Sequence, residues 1–355
     1  MKSVNSASQP PEALARWVAE VKHCERGETE LILVAGDASP RRYFRVQYQM
    51  PDYGATTEIA VSSPPTEKNE AFLSVRLLLE AAGIRAPRLI AASLEHGYFL
   101  LEDFGERLLS HELAEGHEQR WYPKALDVLN QFATLETDSA ALPVYDQQLL
   151  IQEMDLFPEW FLKKLLGLSE SEIDHAGLGP LWALLVANAE AQPQVVVHRD
   201  FHCRNLLCLG DGQLGVIDFQ DAVIGPVTYD LVSLLKDCYV VWPREIQLAW
   251  LQNAFDSLTH AGHLSVDVEL PEFIRWFDLM GLQRHIKVLG IFARLHLRDN
   301  KPSYLMHLRD VLAYVGETLT LYRGKDAHLE GFADWFDTQL MPKAVAQSWY
   351  TAEEG

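Results

Sequence analysis

A run of polar residues follows a short apolar stretch in the segment VVVHRDFHCRNLL, which covers residues 195–207. The three valines predict a buried strand, because β-branched residues favour strands. Asp200 and Asn205 follow in the loop, and the segment GVIDFQD brings Asp218 soon afterwards. A carboxylate can accept a proton from a substrate hydroxyl, and amide and carboxylate oxygens are ligands that suit Mg²⁺. The spacing therefore predicts phosphoryl transfer, with Asp200 as the base and Asn205 and Asp218 as metal ligands.

A hairpin is predicted to bring the two metal ligands together. The segment LLCLGDGQLGVIDF contains Asp211-Gly212, a strong turn signal between two short apolar runs. Asn205 precedes the first strand and Asp218 ends the second, so both lie at the same end of the hairpin. His198 is expected to have a different role, in which its side chain hydrogen-bonds the loop backbone.

Patterns along the chain predict an α+β fold with two lobes, since 355 residues exceed what a single core usually supports. The first part contains a helix at 12–23, three strands, a helix that stops at Gly83, and two strands around a tight turn. This order predicts a small antiparallel sheet with a helix against it. Mainly helical patterns follow at 108–135, 147–167, 178–191 and from Pro226 onward. We predict a small sheet lobe at 1–102, a connecting hinge at 103–107 and a larger, mainly helical lobe at 108–355.

Composition excludes some classes of function. Acidic residues outnumber basic ones by 50 to 30, which gives a net charge of −20. Nucleic-acid binding is not expected, because phosphate backbones require clustered Lys and Arg. An anionic small substrate stays compatible with this charge, because a few local cations or a metal outweigh the global field.

The chain is expected to be cytoplasmic. Its four cysteines contain no CxxC pair and are expected to be reduced thiols. The amino-terminal segment lacks the apolar core of a signal peptide, and no apolar run approaches the ~18 residues of a membrane span.

Two other chemistries do not fit the motifs. His198, His202 and Cys203 lack the second pair of ligands that a zinc site usually has. A serine hydrolase would be expected to carry a nucleophile elbow such as GxSxG, and the chain has none.

The segments HRDFHCRN and VIDFQD resemble the catalytic loop and metal segment of the aminoglycoside phosphotransferase/choline kinase family, relatives of the protein kinases. GDASPRRYFRV, FLLEDFG and GLQRHIKVLGIFARLHLRD look more specifically like the bacterial N-acetylmuramate/N-acetylglucosamine anomeric sugar kinases. The resemblance implies a protein-kinase-like two-lobe fold, with nucleotide binding in the first lobe. It also implies ATP and Mg²⁺, and phosphorylation of the anomeric hydroxyl of an amino sugar in peptidoglycan recycling.

The resemblance carries over residue by residue at four positions. Asp200 matches the catalytic base, and Asn205 and Asp218 match the magnesium ligands. Asp230, in TYDL, matches an aspartate that braces the catalytic loop from the following helix. Asp230 is equally suited to be the N-cap of that helix, and the two roles are compatible.

The phosphate clamp departs from the family pattern. Related kinases usually hold the ATP phosphates with a lysine on the third strand, but TTEIAVSS has none and Lys68 lies beyond it. Arg41, Arg42 and Arg45 are the candidates to replace it, since a guanidinium fork matches phosphate oxygens. We prefer Arg42 because it lies close to the GDAS turn.

The remaining nucleotide contacts are expected from the backbone. The loop AGDASPR replaces a glycine-rich loop, and its N–H groups around Gly36 and Ser39 can cradle an anion. The segment LLEDFG matches the hinge, so adenine is expected to bond backbone groups from Glu102 to Phe104.

Sugar contacts are expected from polar residues near these motifs, namely Arg204, Gln220, Asp221 and Glu153. Arg204 is expected to face either the phosphoryl group or the lactyl carboxylate of N-acetylmuramate. Phe157 and Trp160 are more often core residues than sugar platforms. Arg284 and His285 lie within an apolar helix and need partners, for which structural ion pairing is the first expectation.

Two rival functions stay open at the level of sequence. One is a kinase of another small alcohol, such as choline or an aminoglycoside, because the acidic charge is compatible with a cationic substrate. The other is a non-catalytic nucleotide-binding regulator, suggested by the missing third-strand lysine alone.

Overall fold

The computed structural model describes residues 10–24, 29–34, 40–50, 54–137 and 142–351. These residues form two compact units. The first unit takes its described residues from Met1–Leu108 and Asn205–Asp221, and the second from Leu109–Arg204 and Ala222–Gly355. The division between the units after Leu108 lies beside the predicted hinge. The hairpin segment Asn205–Asp221 groups with the first unit, whereas the predicted boundaries place it in the second lobe.

The first unit is built on a five-stranded antiparallel sheet with the order β1-β2-β3-β5-β4. Its elements are α1 (Glu12–Lys22), β1 (Glu30–Val34), β2 (Arg42–Met50), β3 (Gly54–Ser62), α2 (Asn69–Ala81), β4 (Leu89–Ser93) and β5 (Tyr98–Glu102). Phe44 and Val46 alternate along β2 and pack with Leu14 and Val18 of α1, all of them fully buried. The predicted small antiparallel sheet is confirmed.

The hairpin consists of β7 (Leu206–Cys208) and β8 (Leu214–Val216), and its contacts explain why it groups with the first unit. The N–H of Cys208 donates to the Arg107 carbonyl at 2.7 Å, and the N–H of Val216 donates to the Arg85 carbonyl at 2.8 Å. Gly215 lies directly against the Phe104 ring, where an added Cβ would come within 2.5 Å. These backbone hydrogen bonds join segments that are far apart in sequence, so a local sequence pattern does not predict them.

The second unit is mainly helical. Its helices are α3 (Leu109–Ala114), α4 (Glu118–Ala133), α5 (Gln147–Met154), α6 (Glu170–Asp174), α7 (Leu178–Glu190), α8 (Tyr229–Leu235), α9 (Arg244–His260), α10 (Leu270–Leu297), α11 (Leu308–Tyr322), α12 (Ala327–Trp335), α13 (Met341–Val345) and α14 (Ser348–Thr351). π-helices cover Phe157–Leu165 and Phe336–Leu340, and a 3₁₀-helix covers Pro302–His307. Among the described residues, no helix is long and apolar enough to cross a membrane. None of the four cysteines forms a disulfide.

The predicted helical stretches differ from the observed ones in detail. The stretch 108–135 divides into α3 and α4 at Gly116, whose φ of 80° ends the first helix. The stretch 147–167 divides into α5 and a π-helix. A short strand, β9 (Val223–Pro226), was not predicted, and it pairs antiparallel with β6 (Gln194–Val197). Its glycine and proline weaken the strand signal in the sequence.

Helix α10 is the long buried element of the second unit, and Gly290 sets how closely the π-helix approaches it. A Cβ at Gly290 would lie 2.4 Å from the carbonyl carbon of Leu156. The backbone of the segment that enters the π-helix therefore rests directly on α10 at this point. Gly316 of α11 provides a contrast, since a Cβ there would meet the Phe336 ring at an ordinary 3.5 Å.

Gly290→Ala is expected to destabilise the protein by about 1–3 kcal/mol, because overpacking against backbone cannot be relieved by a rotamer change. Gly316→Ala is the matched control, and we expect it to stabilise the protein by up to about 1 kcal/mol through helix propensity. Urea unfolding of the two variants measures both changes. Equal stability of Gly290→Ala and wild type would show that the π-helix is not held by this contact.

Candidate active site

The loop after β6 is held at both ends by buried carboxylates. Asp230, at the start of α8, accepts the backbone N–H of His198 at 2.6 Å and of Arg199 at 3.0 Å. Arg199 has a φ of 75°, in the left-handed region that an L-residue adopts only when its surroundings hold it there. Asp237, which follows α8, accepts the N–H of Cys203 at 2.9 Å. The loop backbone on both sides of Asp200 is therefore fixed to the helical unit.

His198 is fully buried beneath this loop. Its Nδ1 accepts the N–H of Asp200 at 3.3 Å, and its ring packs edge-on against Phe132 and Phe201. These contacts point the imidazole at backbone and aromatic neighbours. This contact with the loop backbone is compatible with the predicted supporting role of His198, which stays a prediction.

Asp200 presents a carboxylate that is 46% exposed, 3.8 Å from the guanidinium of Arg284. Desolvation by the surrounding protein raises the pKa of Asp200, but Arg284 and Lys287 outweigh it and hold the pKa well below its usual range. Asp200 is therefore ionised at neutral pH and able to accept a proton or a hydrogen bond from an incoming hydroxyl.

A buried network of opposite charges lies beside Asp200. The Glu153 carboxylate forms an ion pair with the Nζ of Lys287 at 3.0 Å. It also pairs with the Arg199 guanidinium and accepts a hydrogen bond from the Tyr145 hydroxyl, both at very short range. Burial raises the pKa of Glu153, while Lys287 and Arg199 lower it to a net value below normal. Three side chains of the protein thus engage the Glu153 carboxylate, and its predicted sugar contact stays a prediction.

Arg284 and His285 are buried in α10, and each has at least one polar partner. Arg284 donates to the carbonyl of Arg199 at 2.9 Å and to the Tyr229 hydroxyl at 3.4 Å. His285 lies 3.0 Å from the Lys236 carbonyl through Nε2 and stacks on a tyrosine ring. Desolvation lowers the pKa of His285 to about 3, so this imidazole is neutral.

In the first unit, the hairpin places Asn205 and Asp218 at the same end. The N–H of Ile217 donates to the Asn205 carbonyl at 3.1 Å, which brings the two strand ends side by side. Asp218 has a φ of 64°, and one of its carboxylate oxygens accepts the amide of Gln220 at 2.8 Å. An exposed carboxylate and an amide oxygen at one hairpin end are a donor set that fits Mg²⁺.

The segment after Asp218 is anchored to α2. The ring of Phe219 stacks on Phe72 with centroids 5.1 Å apart. Asp221 lies 2.6 Å from the Nζ of Lys68, with the two side chains 41% and 60% exposed. Such an exposed ion pair contributes less than about 1 kcal/mol, so Lys68 and Asp221 can exchange this partner for a ligand.

The three arginines considered as a phosphate clamp occupy different surroundings. Arg41 is buried, bonds the Ser63 hydroxyl at 3.0 Å and lies over the Phe72 ring. Arg45 bonds the hinge carboxylate of Asp103 at 2.6 Å. The Arg42 guanidinium lies 5.8 Å from the Phe44 ring and is half-buried.

The hinge residues are tied within the first unit. The Glu102 carboxylate pairs with Arg85 at 2.5 and 2.9 Å, and its backbone N–H donates to the Arg88 carbonyl at 2.9 Å. The Phe104 ring lies beneath the Arg85 guanidinium at 5.0 Å. Gly36 and Ser39 lie outside the described residues.

Arg204 is exposed and stacks on Tyr239, with its guanidinium carbon 3.6 Å from the ring centroid. His202 and His307 meet the same ring edge-on. Sequence reasoning missed Tyr239 and the bracing Asp237. The polar residues of KDCY, directly after an apolar helix, were the available signal.

Comparison with known sequences gives one family. A model described as "Phosphotransferase enzyme family" matches residues 30–268. The matched region extends from β1 through the loop after β6 and the hairpin to the segment that follows α9.

Curated relatives match most of the chain. The N-acetylmuramate/N-acetylglucosamine kinase of Pseudomonas putida is 40% identical over 289 residues, which cover 81% of this chain and 83% of that protein. The proteins of the same name from Pseudomonas aeruginosa and Neisseria meningitidis are 40% and 36% identical over 302 and 320 residues. These matches cover 84% and 87% of this chain, and 86% and 93% of the relatives.

Solved structures share the fold at low sequence identity. An ADP-bound aminoglycoside phosphotransferase is similar with a TM-score of 0.59 and 16% identity, covering 92% of this chain and 99% of that one. A Plasmodium vivax ethanolamine kinase has a TM-score of 0.64 at 13% identity, covering 92% and 94%.

Proposed function

Because the chain belongs to the phosphotransferase enzyme family, we propose that it is an ATP-dependent kinase of the anomeric hydroxyl of N-acetylmuramate and N-acetylglucosamine. The family resemblance predicted from the sequence is confirmed. The predicted protein-kinase-like fold is confirmed as well, since the structural neighbours share it. The observation that carries the proposal is the half-exposed Asp200 carboxylate on a loop that Asp230 and Asp237 hold in place. We assign the reaction to peptidoglycan recycling in the cytoplasm, where ATP is available.

Asp200 orients the acceptor hydroxyl and takes its proton during transfer. The hydroxyl oxygen forms a bond to the γ-phosphorus while the bond from that phosphorus to the bridging oxygen of ADP breaks. ADP leaves with the electron pair, and the proton ends on Asp200. The loop bonds of His198 and Arg199 to Asp230 keep the carboxylate at a constant position during this step.

Asn205 and Asp218 would hold Mg²⁺ through their amide and carboxylate oxygens. When bound, the ion neutralises charge on the phosphate oxygens of ATP. The left-handed backbone at Asp218 and the amide of Gln220 orient the carboxylate at the hairpin end. Hydrogen bonds to a ligating side chain commonly fix its orientation and affect its affinity for the metal.

Nucleotide binding is assigned to the first unit. We propose Arg42 as the phosphate clamp, because it begins β2 and follows the GDAS turn closely in sequence. Adenine would bond the backbone of the hinge from Glu102 to Phe104. The loop with Gly36 and Ser39 would cradle the phosphates with backbone N–H groups.

We infer an anomeric hydroxyl as the acceptor from the resemblance to the anomeric sugar kinases. Relatives named N-acetylmuramate/N-acetylglucosamine kinase, which are 36–40% identical, support this choice. Arg204, exposed beside Tyr239, is a proposed contact for the lactyl carboxylate of N-acetylmuramate, and Gln220 and Asp221 are proposed sugar contacts.

A product assay with radiolabelled ATP tests the proposed substrate. We expect transfer to N-acetylmuramate and N-acetylglucosamine, with a product phosphate that is labile in mild acid, as anomeric phosphates are. The methyl glycoside of N-acetylglucosamine is the matched control, since it lacks only the anomeric hydroxyl, and we expect at least about a 100-fold lower rate.

Other outcomes of the same assay separate the rival functions. Equal rates with the methyl glycoside would assign transfer to another hydroxyl. Preferred phosphorylation of choline or an aminoglycoside would replace the proposed substrate class. Nucleotide binding without transfer to any alcohol would indicate a regulator.

A further inference from the structure

Arg284 lies at the middle of the buried helix α10, close to three polar groups of the protein. It is 4% exposed. Its guanidinium donates to the Arg199 carbonyl at 2.9 Å and lies 3.4 Å from the Tyr229 hydroxyl. The remaining neighbour is the Asp200 carboxylate, at 3.8 Å. Two hydrogen bonds thus hold the cation at a constant place beside a carboxylate that is itself half-exposed.

The neighbouring cations of this network make their ion pairs with a different carboxylate. Lys287 directs its Nζ to Glu153 at 3.0 Å and to the Tyr229 hydroxyl at 2.9 Å. The Arg199 guanidinium also contacts Glu153. Arg284 lies in an ion pair with Asp200 at 3.8 Å.

The distance between the two groups matters for the chemistry. At 3.8 Å the pair is too long for a direct hydrogen bond, so the attraction is electrostatic. Arg284 can therefore attract the carboxylate toward one orientation without a direct hydrogen bond to it. Glu153 shows the opposite arrangement, in which direct bonds from three side chains occupy the carboxylate.

We propose that Arg284 is a positioning residue for phosphoryl transfer, whose fixed guanidinium holds the Asp200 carboxylate in the orientation that receives the acceptor hydroxyl. This inference rests on the proposed role of Asp200 as the base. Arg284 contacts no part of the substrate in this assignment, and its effect on the rate passes through Asp200. A purely structural arginine would instead act through the stability of the loop.

A double-mutant cycle separates these two roles. Arg284→Gln is expected to lower kcat about 10- to 100-fold, with the KM values for ATP and sugar within about 3-fold of wild type. Arg284→Lys keeps the positive charge and is expected to recover part of the loss. In an Asp200→Asn background, Arg284→Gln is expected to change the residual kcat less than about 2-fold, since the group on which it acts has lost its charge.

Arg244→Gln is the matched control. Arg244 is another partly buried arginine of the same unit, and it pairs with Asp278 of α10 at 2.7 and 2.9 Å. Its removal is expected to lower the melting temperature while kcat stays within about 2-fold. A kcat loss in Arg244→Gln equal to that in Arg284→Gln would overturn the positioning role. Equal losses from Arg284→Gln in both Asp200 backgrounds would overturn it as well.

The double-mutant cycle can also be interpreted independently of which substrate the enzyme uses. If wild type transfers phosphate to no amino sugar, the proposed function fails, and the cycle is then measured on the acceptor found in the panel or on ATP hydrolysis by water. If circular dichroism shows that Arg284→Gln is unfolded, Arg284→Lys carries the same comparison. A kcat of Arg284→Lys equal to wild type contradicts the proposal, and so does a loss of the same size when this change is made in the Asp200→Asn background.

Discussion

Asp200→Ala is expected to lower kcat about 10²- to 10⁴-fold while the protein stays folded and still binds nucleotide, because the variant lacks the group that orients the hydroxyl and takes its proton. The loop should persist, since it is held by bonds to Asp230 and Asp237 that do not involve the Asp200 side chain. Nucleotide affinity should change little, because the proposed nucleotide contacts lie in other segments.

The stability of this variant is expected to fall only slightly. The pKa of Asp200 is depressed in the folded protein, so its charge favours the native state above the pKa of the unfolded chain, and this contribution is lost as the pH falls. Because the carboxylate is 46% exposed, the contribution is less than about 1 kcal/mol.

Steady-state kinetics and nucleotide titration measure the two properties of Asp200→Ala separately. Asp334→Ala is a suitable control, since it removes an exposed carboxylate whose partner is Arg323 on the surface. We expect the control to keep wild-type kcat. Turnover of Asp200→Ala within about 10-fold of wild type would remove Asp200 from the mechanism.

Asp218→Asn is expected to lower kcat/KM about 10²- to 10³-fold and to raise the Mg²⁺ concentration needed for half-maximal activity. The amide keeps the size of the side chain but loses the charge that attracts a divalent cation. Asparagine is among the residues that best tolerate the left-handed backbone observed at this position, where φ is 64°. The effect should therefore arise from the metal site and not from strain.

Asp211→Asn tests whether any charge loss on the hairpin has this effect. Asp211 lies at the turn, at the opposite end from Asp218, and its carboxylate accepts the N–H of Gln213 at 3.0 Å, a bond that an amide oxygen can replace. Its Mg²⁺ titration should match that of wild type. If Asp218→Asn also gave the wild-type Mg²⁺ titration, the metal would have to be held by other residues.

Much of the first unit was predictable because its elements follow local patterns. Each strand of the sheet is a short alternating or apolar run with a clear turn, and adjacent strands along the chain mostly pair. In the second unit the strand β9 was missed, because VIGP gains its strand conformation from pairing with β6 and not from its own composition.

The sequence by itself determined the chemical groups of the candidate site. Asp200, Asn205 and Asp218 stand out because base, ligands and hairpin turn lie within one short stretch, where spacing limits how far apart they can be. The family and its fold were likewise readable from these motifs and are confirmed. The roles of the three residues stay predictions that the experiments above test.

Only the tertiary structure decided which charges surround those groups. Arg284 reaches Asp200, and Lys287 reaches Glu153, from a helix far along the chain from both carboxylates. Burial makes such long-range ion pairs specific, since a charge without a partner is costly inside a protein, but no local pattern states which partner is chosen. The basicity of Asp200 is therefore a property of the folded second unit.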